Sequence, residues 1–478
     1  MIMPLIIASV VVLICIFSSK VLYKFGVPSL LIFILLGMVF GSEGIVGIPF
    51  ENYRIAEQLG SLGLIFIIFY GGFCTNWKIA KPVVGKAVLM STLGVIITAG
   101  LTGLFCRVVL KVSLLEGLLI GSIVASTDAA AVFSILRSQK LNLKDGLASL
   151  LEIESGSNDP IAYMLAITIL SLIKGGGEQS TLQLLIFQIF FGLLIGVVLA
   201  KVSAWILKNI TFEIEGLYPV FVIAIAILTY SMSSWIGGNG YLSVYIAGIL
   251  IGNSKIQNKK SLVKFLDGIS WLMQIMLFFI LGLLSFPSHL QSVLVPGILI
   301  ALFLIFVARP IATFGILSPL KVPLKHQLFV SWVGIRGASS IVFAILAVTN
   351  EAVIKSDIFH IVFFVALFSV ALQGTLIAPI AKKLDLVDND TAVLKTFNDY
   401  QEESNTKLVE LEITPKNKWV NKTIMNANIP EDILVVMIKR AENVVYPNGS
   451  TMIKSGDILV LGGNNFEFID DNTDDSFN

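Results

Sequence analysis

Apolar runs alternate with short polar punctuation over most of this chain. Runs such as Leu30 to Met38 and Leu182 to Ala200 are bounded by Lys, Gly and Pro clusters, and the pattern recurs nearly to residue 382. A helix crossing the hydrocarbon core needs ~20 apolar residues, and that rule predicts about thirteen spans. They fall near 4–23, 29–47, 56–75, 83–110, 114–137, 147–173, 182–208, 216–236, 238–253, 264–286, 291–315, 326–349 and 356–381. The first run, Leu5 to Phe17, lacks a basic leader and a small-residue cleavage site, so it reads as a first span rather than a signal peptide. After Leu384 the composition turns abruptly polar, beginning Asp385-Leu-Val-Asp-Asn-Asp390. Beyond it, Lys407 to Ile413 alternates as a strand, Ile433 to Lys439 is β-rich, Pro447-Asn-Gly449 is a turn, and Gly456-Asp457 leads into a strand over Ile458 to Leu461. The expected organisation is therefore a transmembrane domain over 1–384, a linker over 385–405, a small α+β domain over 406–463 and an acidic, disordered tail over 464–478. The fold class is an all-α polytopic membrane protein followed by that small domain.

Composition agrees. The 478 residues are 56% hydrophobic and only 14% charged, with a mean hydropathy of +0.88, which excludes an ordinary soluble enzyme. The net charge of +1 carries no information about partners, but charge placement does. With the amino terminus outside, the cytoplasmic loops hold Lys20 and Lys24, then Lys78, Lys81 and Lys86, then Arg137, Lys140 and Lys144, and the bias continues through Lys382 and Lys383. The opposite loops hold few: Arg54, Arg107, Lys111, Lys174 and Lys355. The positive-inside rule then places the amino terminus outside and the carboxy-terminal domain in the cytoplasm. Cys15, Cys74 and Cys106 lie in or beside apolar runs and read as buried small hydrophobes. His289, His326 and His360 sit singly, and the sequence pairs none of them with a second metal ligand.

Chemistry is concentrated in three spans. The fifth carries Ser126-Thr127-Asp128, the sixth Glu154-Ser-Gly-Ser-Asn158-Asp159-Pro160, and the twelfth Gly334-Ile-Arg336-Gly-Ala-Ser-Ser340. Ionisable groups at mid-span cost roughly 2.5–3.5 kcal/mol each on insertion scales, so they are kept for partners or transport. In the sixth span Glu154 and Asn158 share one helical face, and Ser155 and Asp159 the adjoining one. Pro160 has no N–H to offer the carbonyl of Gly156, which leaves a backbone oxygen beside Asp159. Carboxylate, hydroxyl and carbonyl oxygens are what a monovalent cation needs in place of its water shell, and the same carboxylate can bind a proton. Arg336 needs a counter-charge, and Glu154 is its expected partner, with Arg309 nearer a span end and expected to snorkel. Asp159 is then left to titrate. Spans five and twelve run in opposite directions, as inverted repeats require. Gly334 and Gly337 suit an unwound stretch, and Asp128 could neutralise exposed half-helix N-termini, with a bent Ser/Thr helix as the plainer alternative.

At these residues the chain resembles the cation:proton antiporter superfamily, in its NhaP-like branch. Thr127-Asp128, Glu154 to Pro160 and Gly334 to Gly337 match that family's motifs, and the likeness covers nearly all of residues 1–382. The resemblance implies thirteen helices in a dimerisation part and a moving core, with spans five and twelve crossing as broken helices. It implies that Asp159, with Ser155 and Thr127, holds either cation or protons, and that Glu154 pairs with Arg336 and Asn158. An Asn before the Asp goes with electroneutral exchange in this family. Many relatives carry an acid in the third span where this chain has Tyr70 before Gly71-Gly72. The soluble domain resembles a carboxy-terminal RCK (TrkA-C) domain, carried by Val435-Val-Met-Ile-Lys-Arg440, Pro447 and Gly456-Asp457. Such domains dimerise and often bind a regulatory nucleotide, frequently cyclic di-AMP, here near Val435, Val436, Arg440 and Pro447; a plain dimerisation module is the alternative.

The function these readings imply is secondary antiport of K+, or Na+, against H+ in the plasma membrane, by a homodimer in lipid. The protein is not expected to be an enzyme, to hold a cofactor, or to hold a metal beyond the transported cation, and no nucleic-acid polymer is an expected partner. Rival readings are a Na+-specific antiporter, an RCK-gated cation channel, for which no carbonyl-lined filter motif is present, and an intramembrane aspartyl protease using Asp128 and Asp159.

Overall fold

The computed structural model describes residues 2–22, 29–139, 141–176, 178–350, 354, 356–388, 407–415, 417–430, 433–440 and 443–463. Most of the expected linker (389–405) and the acidic tail (464–478) lie outside the described residues. The chain forms two compact units, Met1–Phe397 and Asn398–Asn478.

The first unit is helical. In chain order it comprises α1 (Ile2–Leu22), α2 (Ser29–Phe40), α3 (Tyr53–Cys74), α4 (Val84–Leu110), α5 (Leu114–Ala125), α6 (Ala129–Ser138), α7 (Leu147–Ile173) and α8 (Glu178–Asn209). Then come α9 (Leu217–Trp235), α10 (Gly240–Gly252), α11 (Lys259–Leu284), α12 (Pro287–Leu317), α13 (Leu324–Trp332), α14 (Ala338–Thr349) and α15 (Ile358–Lys383). Among the described residues, nine segments are long and apolar enough to cross a membrane. Local signals set several helix starts. Ser113 and Glu116 form a capping box at α5, while Asn52 and Asn239 accept amides at the starts of α3 and α10. Small residues then let backbones approach. A Cβ on Gly252 would lie 2.1 Å from the Phe73 carbonyl, so only glycine permits the α3–α10 contact. All three cysteines are buried, as expected.

Two apolar helical runs are interrupted. Residues 126–128 separate α5 from α6, and residues 333–337 separate α13 from α14. The first interruption has no Gly or Pro to announce it. It is held instead by partners from elsewhere in the chain: the Asp128 amide donates to the Ile335 carbonyl at 2.8 Å, joining one break to the other. The Arg336 amide donates to Ser369 Oγ (3.1 Å), and Gln373 Nε2 donates to the Trp332 carbonyl (2.7 Å). Backbone groups freed from helices in an apolar interior must find such partners, because water is not available to them. Ser369 and Gln373 lie at and within a π-bulge (Val370–Gly374) that swells α15 at this level.

The second unit is a four-stranded antiparallel sheet of β3 (Lys407–Glu412), β4 (Leu434–Arg440), β5 (Asn443–Val445) and β6 (Ile458–Gly463), in the order β3-β6-β4-β5. A short pair in the first unit, β1 (Asn142–Leu143) and β2 (Val387–Asp388), precedes it in the count. Glu412 pairs Ile458 and Lys407 pairs Gly463, with a bulge in β4 between Val435 and Met437. Leu411, Ile413, Trp419, Ile438, Ile453, Leu459 and Leu461 form its core. Its helical content among the described residues is one 3-10 turn, Ile424–Asn426.

Candidate ion-binding site

α7 brings Asp159 to the two helix breaks. The residue is 8% exposed. Its carboxylate accepts a short hydrogen bond from Ser126 Oγ, and the Ser126 hydroxyl in turn meets Ser339 Oγ at 2.7 Å. Ser126 closes α5 and Ser339 lies in the first turn of α14, so both breaks send a hydroxyl toward the same carboxylate. Sequence reasoning assigned neither serine to the site; the available signal was that each flanks an interruption.

Ser155 and Thr127 occupy the adjoining space. Ser155 Oγ donates to the Thr127 carbonyl (2.6 Å) and accepts the Ala129 amide (2.8 Å). It thereby satisfies one group on each side of the first break. Asn158 Nδ2 bonds Thr127 Oγ1 in a short contact, and Asn158 Oδ1 is buried without a hydrogen-bond partner among the described residues. Gly156 lies against Tyr245, where a Cβ would come within 2.5 Å of the ring. The carbonyl of Pro160 accepts Asn239 Nδ2 at 2.7 Å.

The charges around this centre follow the helix ends. Asp128 Oδ1 accepts the Ala131 amide (3.1 Å) in the first turn of α6, and its Oδ2 lies so near Gly337, at the start of α14, that a Cβ there would sit 1.9 Å away. One carboxylate thus faces two helix N-termini, where N–H groups lack intrahelical acceptors. Arg336 does the opposite: its Nη1 donates to the carbonyls of Ala125 (3.0 Å) and Ser126 (2.9 Å) at the C-terminal end of α5.

This corrects the expected Glu154–Arg336 pair. The partner of Glu154 is Arg309, with Nη2 at 2.6 Å from Oε1 and both side chains buried. Arg309 follows a π-bulge in α12 (Leu304–Ala308) and does not snorkel. It reaches α7 past Gly334, where an added Cβ would lie 3.0 Å from its Nε. Arg336, in the unwound segment, meets orphan carbonyls instead. Two guanidiniums share the interior, and helix geometry decides which takes the carboxylate.

Other expectations are placed as follows. Tyr70 donates its hydroxyl to Asp267 Oδ1 on α11 at 2.7 Å. In the sheet unit, Val435 belongs to the core, while Val436 and Pro447 are partly exposed. Arg440 is tied to Asp457 by Nε (2.8 Å) and Nη2 (2.7 Å) and to the Met452 carbonyl (2.8 Å). The histidines are not solitary. His289 and His360 converge on Asp357, and His326 lies 3.3 Å from Asp145. The His289–Asp357 and His326–Asp145 contacts join helix ends distant in sequence, which spacing along the chain does not reveal.

Comparison with known proteins carries the same assignment. The family model described as "Sodium/hydrogen exchanger, transmembrane" matches residues 7–383, and the TrkA-C domain model matches residues 408–465. The K(+)/H(+) antiporter NhaP of Alkalimonas amylolytica is 36% identical, over 80% of this chain and 67% of that protein. The K(+)/H(+) antiporter NhaP2 of Shewanella sp. (strain ANA-3) is 32% identical over 93% of this chain and 78% of its own. The solved structure of the sodium proton antiporter MjNhaP1 from Methanocaldococcus jannaschii superposes with a TM-score of 0.70 and 26% identity, covering 80% of this chain and 98% of that one. The chain therefore belongs to the sodium/hydrogen exchanger family, as an NhaP-like monovalent cation/proton antiporter that carries a TrkA-C domain.

Proposed function

We propose that this antiporter exchanges K+ for H+, one for one, at Asp159. The observation that carries the reading is the division of labour between two buried carboxyls on α7. Glu154 is neutralised by Arg309, whereas Asp159 meets serine hydroxyls, Ser126 and Ser339, which also bond each other. A hydroxyl can donate to a carboxylate or turn its lone pair toward a cation, so the Ser126–Ser339 pair suits either occupant. Cation and proton compete for one carboxylate, and a single site with one titrating charge favours exchange without net charge movement. Ser155, Thr127 and the Gly156 carbonyl are the further oxygens assigned to the cation, and Asn158 holds Thr127 in place. Asp128 and Arg336 offset the half-helix ends. K+ is favoured over Na+ because the two curated relatives above are named for it; the Na+-specific reading draws on MjNhaP1.

In the same reading thirteen segments cross the membrane, with α5/α6 and α13/α14 as crossing broken helices. The amino terminus lies outside and the TrkA-C domain in the cytoplasm, as the lysine bias argues. The functional unit is a homodimer. The TrkA-C domain adjusts transport by binding a small ligand, for which a cyclic dinucleotide is the candidate; calorimetry on residues 398–478 tests it. For the exchange itself, everted vesicles containing the wild type should show K+-dependent dequenching of a pH dye, with a smaller response to Na+. Asp159→Asn should abolish both responses while the protein remains folded. Persistent dequenching in that variant rules out Asp159 as the exchange site, and a larger response to Na+ overturns the choice of K+.

A further inference from the structure

Far from Asp159 in sequence and distinct from it in chemistry, three ligand-bearing side chains meet where α12 and α15 begin. His289 stands in the first turn of α12 and is 60% exposed, Asp357 is the N-cap of α15, and His360 lies one turn on and is buried. His360 Nδ1 lies 2.7 Å from Asp357 Oδ2, and His289 Nδ1 lies 3.7 Å from the same oxygen. One ligand atom from each residue falls within 4.8 Å of the others. In a tetrahedral zinc site with bonds near 2.0–2.1 Å, ligand atoms stand roughly 3.3 Å apart. Small side-chain adjustments of opposite sign bring both separations to that value.

The surroundings hold these groups in position. Asp357 Oδ1 accepts the His360 amide (3.2 Å), and the Phe286 amide donates to His360 Nε2 (3.2 Å). The loop after α2 adds Glu43, which accepts the Ser288 amide at 2.8 Å and bonds its hydroxyl, within electrostatic range of both imidazoles. Tyr53 of α3 lies within electrostatic range of Asp357. A cleft of about 570 Å³, lined in part by Asp357, Lys111 and Glu116, opens beside the cluster.

We propose that His289, Asp357 and His360 bind a divalent cation of the zinc class, with Glu43 or water in the fourth position. Imidazole nitrogens are poor ligands for alkali cations and good ones for borderline divalent ions, so this site does not serve the transported ion. Two carboxylates, Asp357 and Glu43, match the double charge. The Phe286 amide can donate only to an unprotonated Nε2, which puts the imidazole proton on Nδ1, facing Asp357. The cation takes the Nδ1 lone pair, the ring's single proton shifts from Nδ1 to Nε2, and the Phe286 amide gives up its acceptor. An imidazole ligand must be neutral, so protons compete with the cation for the ring lone pairs and binding weakens in acid.

The test is titration of the tag-free full chain in detergent micelles with Co2+, followed by its visible absorption, and then competition with Zn2+. One ion per chain with an intense tetrahedral spectrum is expected. His289→Ala, an exposed change, should weaken binding at least tenfold, and His326→Ala should leave it unaltered. The apo melting temperature of each variant shows whether it is folded, and Asp357→Asn supplies a second ligand variant should His289→Ala fail that control. Lowering pH from 8 to 6 should weaken wild-type binding. The proposal is overturned if the folded ligand variants bind as the wild type does, if the spectrum stays that of the hydrated ion, or if acid leaves the affinity unchanged.

Discussion

Replacing Arg309 by methionine tests which guanidinium neutralises α7. In the wild type the Arg309 Nη2 to Glu154 Oε1 separation is 2.6 Å, with side-chain exposures of 3% and 2%. Coulomb's law at that distance, with an effective dielectric constant of about 20, gives about 6 kcal/mol of attraction, against which the desolvation of both ions must be set. Removing one partner of such a buried pair costs about 3–5 kcal/mol, because the other is left charged and unpaired. Removing both in favour of apolar groups of similar volume costs far less. Arg309→Met should therefore lower Tm by an amount on the order of 5–10 °C in detergent. Arg309→Met combined with Glu154→Leu should recover most of that loss, giving a coupling energy of about 3 kcal/mol in a double-mutant cycle. Arg336→Met should couple to Glu154 much more weakly, since the Arg336 hydrogen bonds run to Ala125 and Ser126 carbonyls. A cycle in which Arg309 and Glu154 lose stability additively, or in which Arg336 shows the larger coupling, refutes the assignment.

Three further outcomes are expected. Gly337→Ala places a Cβ 1.9 Å from Asp128 Oδ2 and 2.4 Å from Asp128 Cβ, so the two breaks cannot keep their contact; folded yield and exchange should both collapse, and a normally active variant would count against the described packing. Ser126→Ala removes the hydroxyl that bonds Asp159, and the loss of one partner, about 1–3 kcal/mol, should raise the cation concentration for half-maximal exchange by about 5- to 150-fold. An unchanged concentration dependence places that hydroxyl outside the ion's coordination. In the TrkA-C domain, the hydrogen bonds from Arg440 hold the Asp457 carboxyl below the usual carboxylate range. Its ionised form therefore adds stability that is present above a pH of about 3.9 and is lost as pH falls through the lower folded value. Acid unfolding of residues 398–478 should show that loss, and Asp457→Asn should remove this contribution while being less stable at neutral pH.

Hydropathy alone located the long helical runs described in the first unit, because a segment that must bury its backbone in lipid has little choice but a helix about 20 residues long. The same logic picked out Asp159 and Glu154, since a carboxyl in such a run is expensive and needs a reason. Alternation located β3, and β-rich apolar runs bounded by turn residues located β4 and β6, because both signals are local. What lay beyond reach were outcomes decided by which turn of which helix faces which. The break at 126–128 contains no Gly or Pro and exists because Ile335, Ser155 and Arg336 supply partners for its backbone. Arg309 displaced Arg336 as the counter-ion because a π-bulge and the missing side chain of Gly334 let it through. The Ser126–Ser339 pair, and the meeting of His289 with Asp357 and His360, join residues far apart along the chain. The sequence by itself determined the class of structure, its long apolar helical runs and the buried carboxyls that such runs carry, since each follows from transfer energies of local segments. Only the tertiary structure decided the pairing of buried charges and polar groups, because pairing energies depend on distances that packing sets.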